Sequence, residues 1–367
     1  MNAGPPLADP LAAYSAMLSG IDGLDQLERI RRGMWIHATT PRPPVGLTPH
    51  EVIHTQDKLA VRYYAPDAPA LKAPVLLVPS MINKAWILDL EPDRSLVVGL
   101  ATRGHPVYLL DWGVPGPEDA HEDVGYAVEE LLHRSVDRVR RHAGAAGVIL
   151  FGYCMGGTLT AMYAALHPER VLGLVCLNAP ARFAESGRFG DFVRGDIFDV
   201  EAAIPPDDLV PVTVMAPAFK LLDPMANWTK YLGIEAASHD PRRLARTMAH
   251  ERWLEENVPI SGSMAREWIT CAYQRDALLE GTWALRGRRV DLGAVTAPAL
   301  VVACERDFIT PPRCALPMAD ALGSEDVEAV ELSAGHIGVI VGSTGPKVFY
   351  PLLDRWIRRI SGVSEDR

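Results

Sequence analysis

Short apolar runs and helical periodicities alternate along this chain. Residues 51–55 and 59–64 alternate polar and apolar positions around Gln56-Asp57-Lys58, which predicts an antiparallel hairpin. Continuous apolar runs at 75–79, 106–112, 148–153, 171–177 and 298–304, with 327–332, predict buried strands. Between them, 93–103, closed by Gly104, and 124–142, 311–322 and 347–360 carry helical patterns. Strands alternating with helices in this way predict a parallel sheet covered on both faces.

Two segments break the rhythm. Residues 1–47 hold an amphipathic helical pattern, with Leu11, Tyr14, Met17 and Leu18 and then Leu24, Leu27 and Ile30 on its apolar face, ending in Pro41-Arg42-Pro43-Pro44. Residues 181–285 are helical: Asp240-Pro241 opens one helix, and Ser261 opens another carrying Met264, Trp268 and Cys271. Four of the eight tryptophans (Trp228, Trp253, Trp268, Trp283) fall in this insertion, so it is expected to be a lid over an apolar site or simply to use them as its own core.

With 367 residues and 48% hydrophobic content, the chain suffices for one large α/β domain with an insertion. A net charge of -10 without long basic runs argues against nucleic acid as a partner. The N-terminus lacks a basic n-region and apolar h-region, and no apolar run approaches a membrane span, so a cytoplasmic protein without a transmembrane segment is expected. Five cysteines without a C-x-x-C pair suggest neither zinc nor disulfides, and no metal or cofactor is expected.

One cysteine stands apart. The run Val148-Ile149-Leu150-Phe151-Gly152-Tyr153-Cys154-Met155-Gly156-Gly157-Thr158 passes from strand through a sharp turn into a small-residue helix. That is the context of the G-x-S-x-G nucleophile elbow, with Cys154 at the apex in place of serine. A thiol at a helix N-terminus beside a histidine is partly thiolate near neutral pH. The order nucleophile, acid, base is then met by Cys154, Asp307 and His336, each just past a predicted strand. His336 would serve as general base and acid, and Asp307 would fix its tautomer. The backbone N–H of Met155 and one from the Ser80-Met81-Ile82 loop are the expected oxyanion donors.

The fold expected is thus an α/β-hydrolase fold, a mostly parallel sheet flanked by helices. Its core spans 48–180 and 286–367, with 181–285 as lid and 1–47 as an N-terminal helical segment. Trp228, Trp253 and Trp268, with Phe308 beside Asp307, are candidates for lining an acyl site. Arg286, Arg288 and Arg289 are either a phosphate cluster or a solvated turn.

At these residues the sequence resembles the poly(3-hydroxyalkanoate) synthases. The likeness rests on Gly152-Tyr153-Cys154-Met155-Gly156-Gly157-Thr158, on Ile82-Asn83-Lys84 with Ile87-Leu88-Asp89-Leu90, on Gly287-Arg288-Arg289-Val290-Asp291-Leu292 and on Gly335-His336-Ile337-Gly338. It implies polymerisation of 3-hydroxyacyl-CoA into polyester with release of CoA, with Cys154 acylated, His336 as its base and Asp307 activating the substrate hydroxyl. The size resembles the class III or IV catalytic subunit, which implies a noncatalytic partner subunit, a homo- or hetero-oligomer, and the surface of polyester granules as a location. Phe308 departs from the histidine that such synthases commonly carry after the aspartate, and Ala334 stands where a second glycine is frequent. A cysteine-dependent thioesterase, esterase or depolymerase, and a silent granule-binding scaffold, are the alternatives.

Overall fold

In the computed structural model, which describes residues 23–67, 71–215, 217 and 226–362, the apolar runs assemble into one eight-stranded sheet. Its strands are β1 (Glu51–Gln56), β2 (Leu59–Tyr64), β3 (Val75–Val78), β4 (Val107–Asp111), β5 (Val148–Tyr153), β6 (Val171–Leu177), β7 (Ala299–Cys304) and β8 (Val327–Leu332). They lie in the order β1-β2-β4-β3-β5-β6-β7-β8. The β1–β2 hairpin and the β2–β4 pair are antiparallel, and every pair from β4 to β8 is parallel. Strands β3, β4, β5 and β7 are almost wholly buried, as continuous apolar strands between helical layers must be. β8 closes one edge and is only half-buried, with Glu328 and Glu331 turned outward.

By packing, the described residues fall into two units, one from Met1–Pro44 and Asp223–Arg252, the other from Val45–Leu222 and Trp253–Arg367. In the smaller unit, the helix Gly23–Thr39 packs against the helix Ala226–Ala237. Leu27 was expected on the apolar face, yet it is 61% exposed. The buried stripe is instead Gln26, Ile30 and Gly33, spaced i, i+4, i+7, because Gly33 lets the backbone of Tyr231 approach where any Cβ would collide. Arg29 Nε bonds Glu235 Oε2 at 2.9 Å in the same unit. Leu11, Tyr14, Met17 and Leu18 lie outside the described residues.

In the larger unit two expected helices are shorter than their patterns. The stretch 311–322 forms Pro312–Ala315 and Pro317–Ala321, because Pro317 has no N–H to continue the first helix. The stretch 93–103 is α-helical only over Leu96–Ala101, where Ser95 caps the Val98 N–H. The helix from Val124 to Ala143 is continuous but takes a π-helical turn over Ala127–Leu132, which nothing in the periodicity announces. No described helix is long and apolar enough to cross a membrane.

Candidate active site

The last residue of β5 leads directly into the helix Met155–Leu166, and Cys154 sits between them with φ 55° and ψ −129°. An L-residue held there is strained and persists only because the surroundings over-determine it. A Cβ on Gly156 would run into the carbonyl oxygens of Val78 and Pro79, and one on Gly157 into the side chain of Ala179. The elbow's glycines therefore let the helix press against the loops after β3 and β6, and the sulfur is pushed out at the turn.

The other expected members converge on it. Asp307 follows β7 and is buried; its Oδ2 accepts a 2.6 Å hydrogen bond from Nδ1 of His336, which follows β8 and is also buried. Asp307 Oδ1 accepts the backbone N–H groups of Ile309 and Thr310, each at 2.9 Å. The His336 imidazole lies near enough to the Cys154 sulfur for the two to interact electrostatically. Burial alone would lower the basicity of His336, but the Asp307 carboxylate and the Cys154 sulfur beside it outweigh burial and push its pKa up to about 10.

The remaining cysteines have no comparable setting. Burial pushes the thiols of Cys176, Cys304 and Cys314 up to about 12, and it raises Cys271 as well. Thiols so placed stay protonated and inert.

Met155 is the first residue of its helix, so its N–H has no acceptor within that helix and points toward the turn. Met81 and Ile82 are half-buried in the loop after β3, the loop on which Gly156 presses. That loop is itself held in place: Ile82 O accepts from Val258 N at 3.1 Å, Lys84 O from Trp253 Nε1 at 2.9 Å, and the Asn83 and Asn257 amides are hydrogen-bonded. Trp253 is thus a buried anchor of the loop. Trp268 is buried in an aromatic cluster with Phe183 and Trp283. Phe308 is 52% exposed next to Asp307, and Trp228 is exposed on the helix Ala226–Ala237 of the smaller unit.

Arg288 bonds Glu129 Oε2 at 3.0 Å and the Leu166 carbonyl at 2.7 Å, and Arg289 bonds the Gly281 carbonyl. Arg286 lies over the Tyr126 ring, 6.0 Å from its centroid. These local partners favour the charged-turn alternative over a phosphate cluster.

Two polar residues around the triad escaped the sequence pattern. Tyr153 ends an apolar strand and Asn178 follows another; both are buried, and both donate to the main-chain carbonyl of His336, at 3.2 Å and 3.0 Å. The one signal was an asparagine just past a strand, a position that tolerates the left-handed backbone it adopts (φ 46°).

Strand order, the elbow and the Asp307–His336 pair define an α/β-hydrolase-fold protein, and the model of the alpha/beta hydrolase fold matches residues 73–343. A solved monoacylglycerol lipase from Paleococcus ferrophilus shares the fold, with a TM-score of 0.52 and 18% identity over 83% of this chain and 100% of that one. Within that class the model of the poly-beta-hydroxybutyrate polymerase (PhaC) N-terminus matches residues 43–99. The poly(3-hydroxyalkanoate) polymerase subunit PhaC of Haloferax mediterranei is 33% identical over 334 residues, 89% of this chain and 67% of that protein. The protein of the same name from Allochromatium vinosum is 29% identical over 91% of this chain and 95% of its own length. The chain belongs to the poly(3-hydroxyalkanoate) polymerase subunit PhaC family.

Proposed function

We propose that this protein is an acyltransferase that polymerises 3-hydroxyacyl units from their CoA thioesters, using Cys154 as the covalent carrier. The observation that carries the mechanism is the buried Asp307–His336 hydrogen bond, formed beside the sulfur on the elbow. His336 takes the thiol proton, and the thiolate attacks the acyl carbonyl while the Met155 N–H and a donor from the Met81-Ile82 loop face the developing oxyanion. The carbon–sulfur bond to CoA breaks, and His336 returns its proton to the departing thiolate. One thioester has replaced another at nearly level free energy, so the acyl group stays activated.

The 3-hydroxyl of a second CoA thioester then attacks the acyl group on Cys154 and gives its proton to His336. An ester forms and the sulfur is freed. The lengthened product, still a CoA thioester, can reacylate Cys154 and release CoA, and repetition grows the polyester. A serine ester would be a deeper resting point; sulfur keeps the intermediate reactive toward a hydroxyl. Water must be kept out, which the half-exposed Phe308 beside Asp307 would favour by lining the acyl path. A granule-surface location and a noncatalytic partner subunit accompany this function as parts of the same proposal.

Purified protein given 3-hydroxybutyryl-CoA tests it: CoA release together with insoluble polyester is the expected result. Release of CoA with free 3-hydroxybutyrate would make the protein a hydrolase, and no CoA release would make it a scaffold.

A further inference from the structure

His336 is carried past β8, an edge strand, whereas Cys154 is carried past β5. Three strand spacings separate them, about 14 Å at the usual 4.7–4.9 Å per spacing. Asp307, past β7, holds the ring but sits only one strand inward. Something must therefore hold the His336 segment folded back across the ends of β7 and β6 toward β5.

The main-chain carbonyl of His336 is where this happens. It accepts the Tyr153 hydroxyl from the end of β5, at 3.2 Å, and the Asn178 amide from just past β6, at 3.0 Å. The Tyr153 ring also lies 5.2 Å from the imidazole, centroid to centroid. Asn178 is fixed in its turn, since its own N–H donates to Val302 O at 2.8 Å on β7. Both side chains are at most 1% exposed, so water competes for neither bond.

We propose that Tyr153 and Asn178 are positioning residues that clamp the backbone of His336 and so set the reach of its imidazole to the Cys154 sulfur. The proposal rests on the triad reading above. The clamp complements Asp307: the carboxylate fixes the ring's tautomer and rotation, and the two donors fix where the residue's backbone sits. Displacing a reacting group by 1 Å costs up to about 10²-fold in rate.

The test is peptide-resolved alkylation of Cys154 by iodoacetamide across pH, in the unmodified protein, in His336→Gln, and in Tyr153→Phe combined with Asn178→Gly. Glycine is chosen because it keeps the left-handed backbone at 178 without strain. Thermal melting shows which variants are folded, and if the double variant is not, Tyr153→Phe alone decides. The clamp predicts that a folded variant's alkylation midpoint moves in the same direction as that of His336→Gln. A purely structural role would lower the melting temperature and leave that midpoint in place, and this result overturns the proposal. If His336→Gln leaves the midpoint unchanged, the triad reading itself fails, and the clamp falls with it.

Discussion

The carboxylate of Asp307 is shared: Oδ2 takes Nδ1 of His336 at 2.6 Å, and Oδ1 is pinned by the N–H groups of Ile309 and Thr310. A carboxylate held on both sides cannot swing away, and the ring is left with one orientation, Nδ1 toward Asp307. Asp307→Asn keeps the size but loses the charge that raises His336. We expect kcat to fall on the order of 10⁴-fold, the scale seen when a triad carboxylate is neutralised, and the melting temperature near neutral pH to fall as the folded state loses the carboxylate that holds the His336 proton. CoA-release kinetics check it.

The same pair governs stability in alkali. His336 binds its proton more tightly folded, with a pKa of about 10, than unfolded, near the ordinary 6.5. Its contribution is therefore complete below about pH 6.5 and is lost as pH rises toward 10. Urea midpoints measured between pH 7 and 10 should fall for the unmodified protein and fall less for Asp307→Asn, where only the Cys154 sulfur still opposes the effect of burial on the imidazole.

The elbow can be tested by volume. Gly156→Ala would drive a methyl group into two backbone carbonyls, which cannot move aside as a side-chain tip would. We expect a destabilisation of about 1–3 kcal/mol or more, the scale of overpacking, together with loss of CoA release. Chemical denaturation measures the first effect.

Glu267 ties Trp283 to the start of the helix at Val124. Its Oε1 accepts Trp283 Nε1 at 2.8 Å, and its Oε2 accepts the Val124 N–H at 2.9 Å. Glu267→Ala leaves two donors unmatched, at about 1–3 kcal/mol for each that stays dry. Glu267→Gln retains one acceptor and should cost less, a ranking that denaturation midpoints of the two variants would settle.

The parts that were legible in the sequence share a physical cause. Buried parallel strands must be continuously apolar, so β3 to β7 stood out as apolar runs, and an elbow needs small residues where strand and helix meet, so Gly152, Gly156 and Gly157 marked Cys154. Asp307 and His336, which the structure joins by a hydrogen bond, could be paired because chain order and strand ends are sequence properties. Periodicity does not encode which side of an isolated helix finds a partner, so Leu27 was misassigned while Gly33, without a side chain, made the contact. Nor does it encode a π-helical turn or a buried donor aimed at a distant carbonyl: Tyr153 and Asn178 acquire their partner only once β5, β6 and β8 lie in order.

The covalent role of Cys154 is the point on which the whole account turns. Intact-protein and peptide mass spectrometry, after brief exposure to 3-hydroxybutyryl-CoA and an acid quench, reads it directly. The account predicts a hydroxyacyl adduct on the peptide containing Cys154, labile to hydroxylamine as a thioester is and absent from Cys154→Ala, which should also release no CoA. Undiminished CoA release by Cys154→Ala would contradict it.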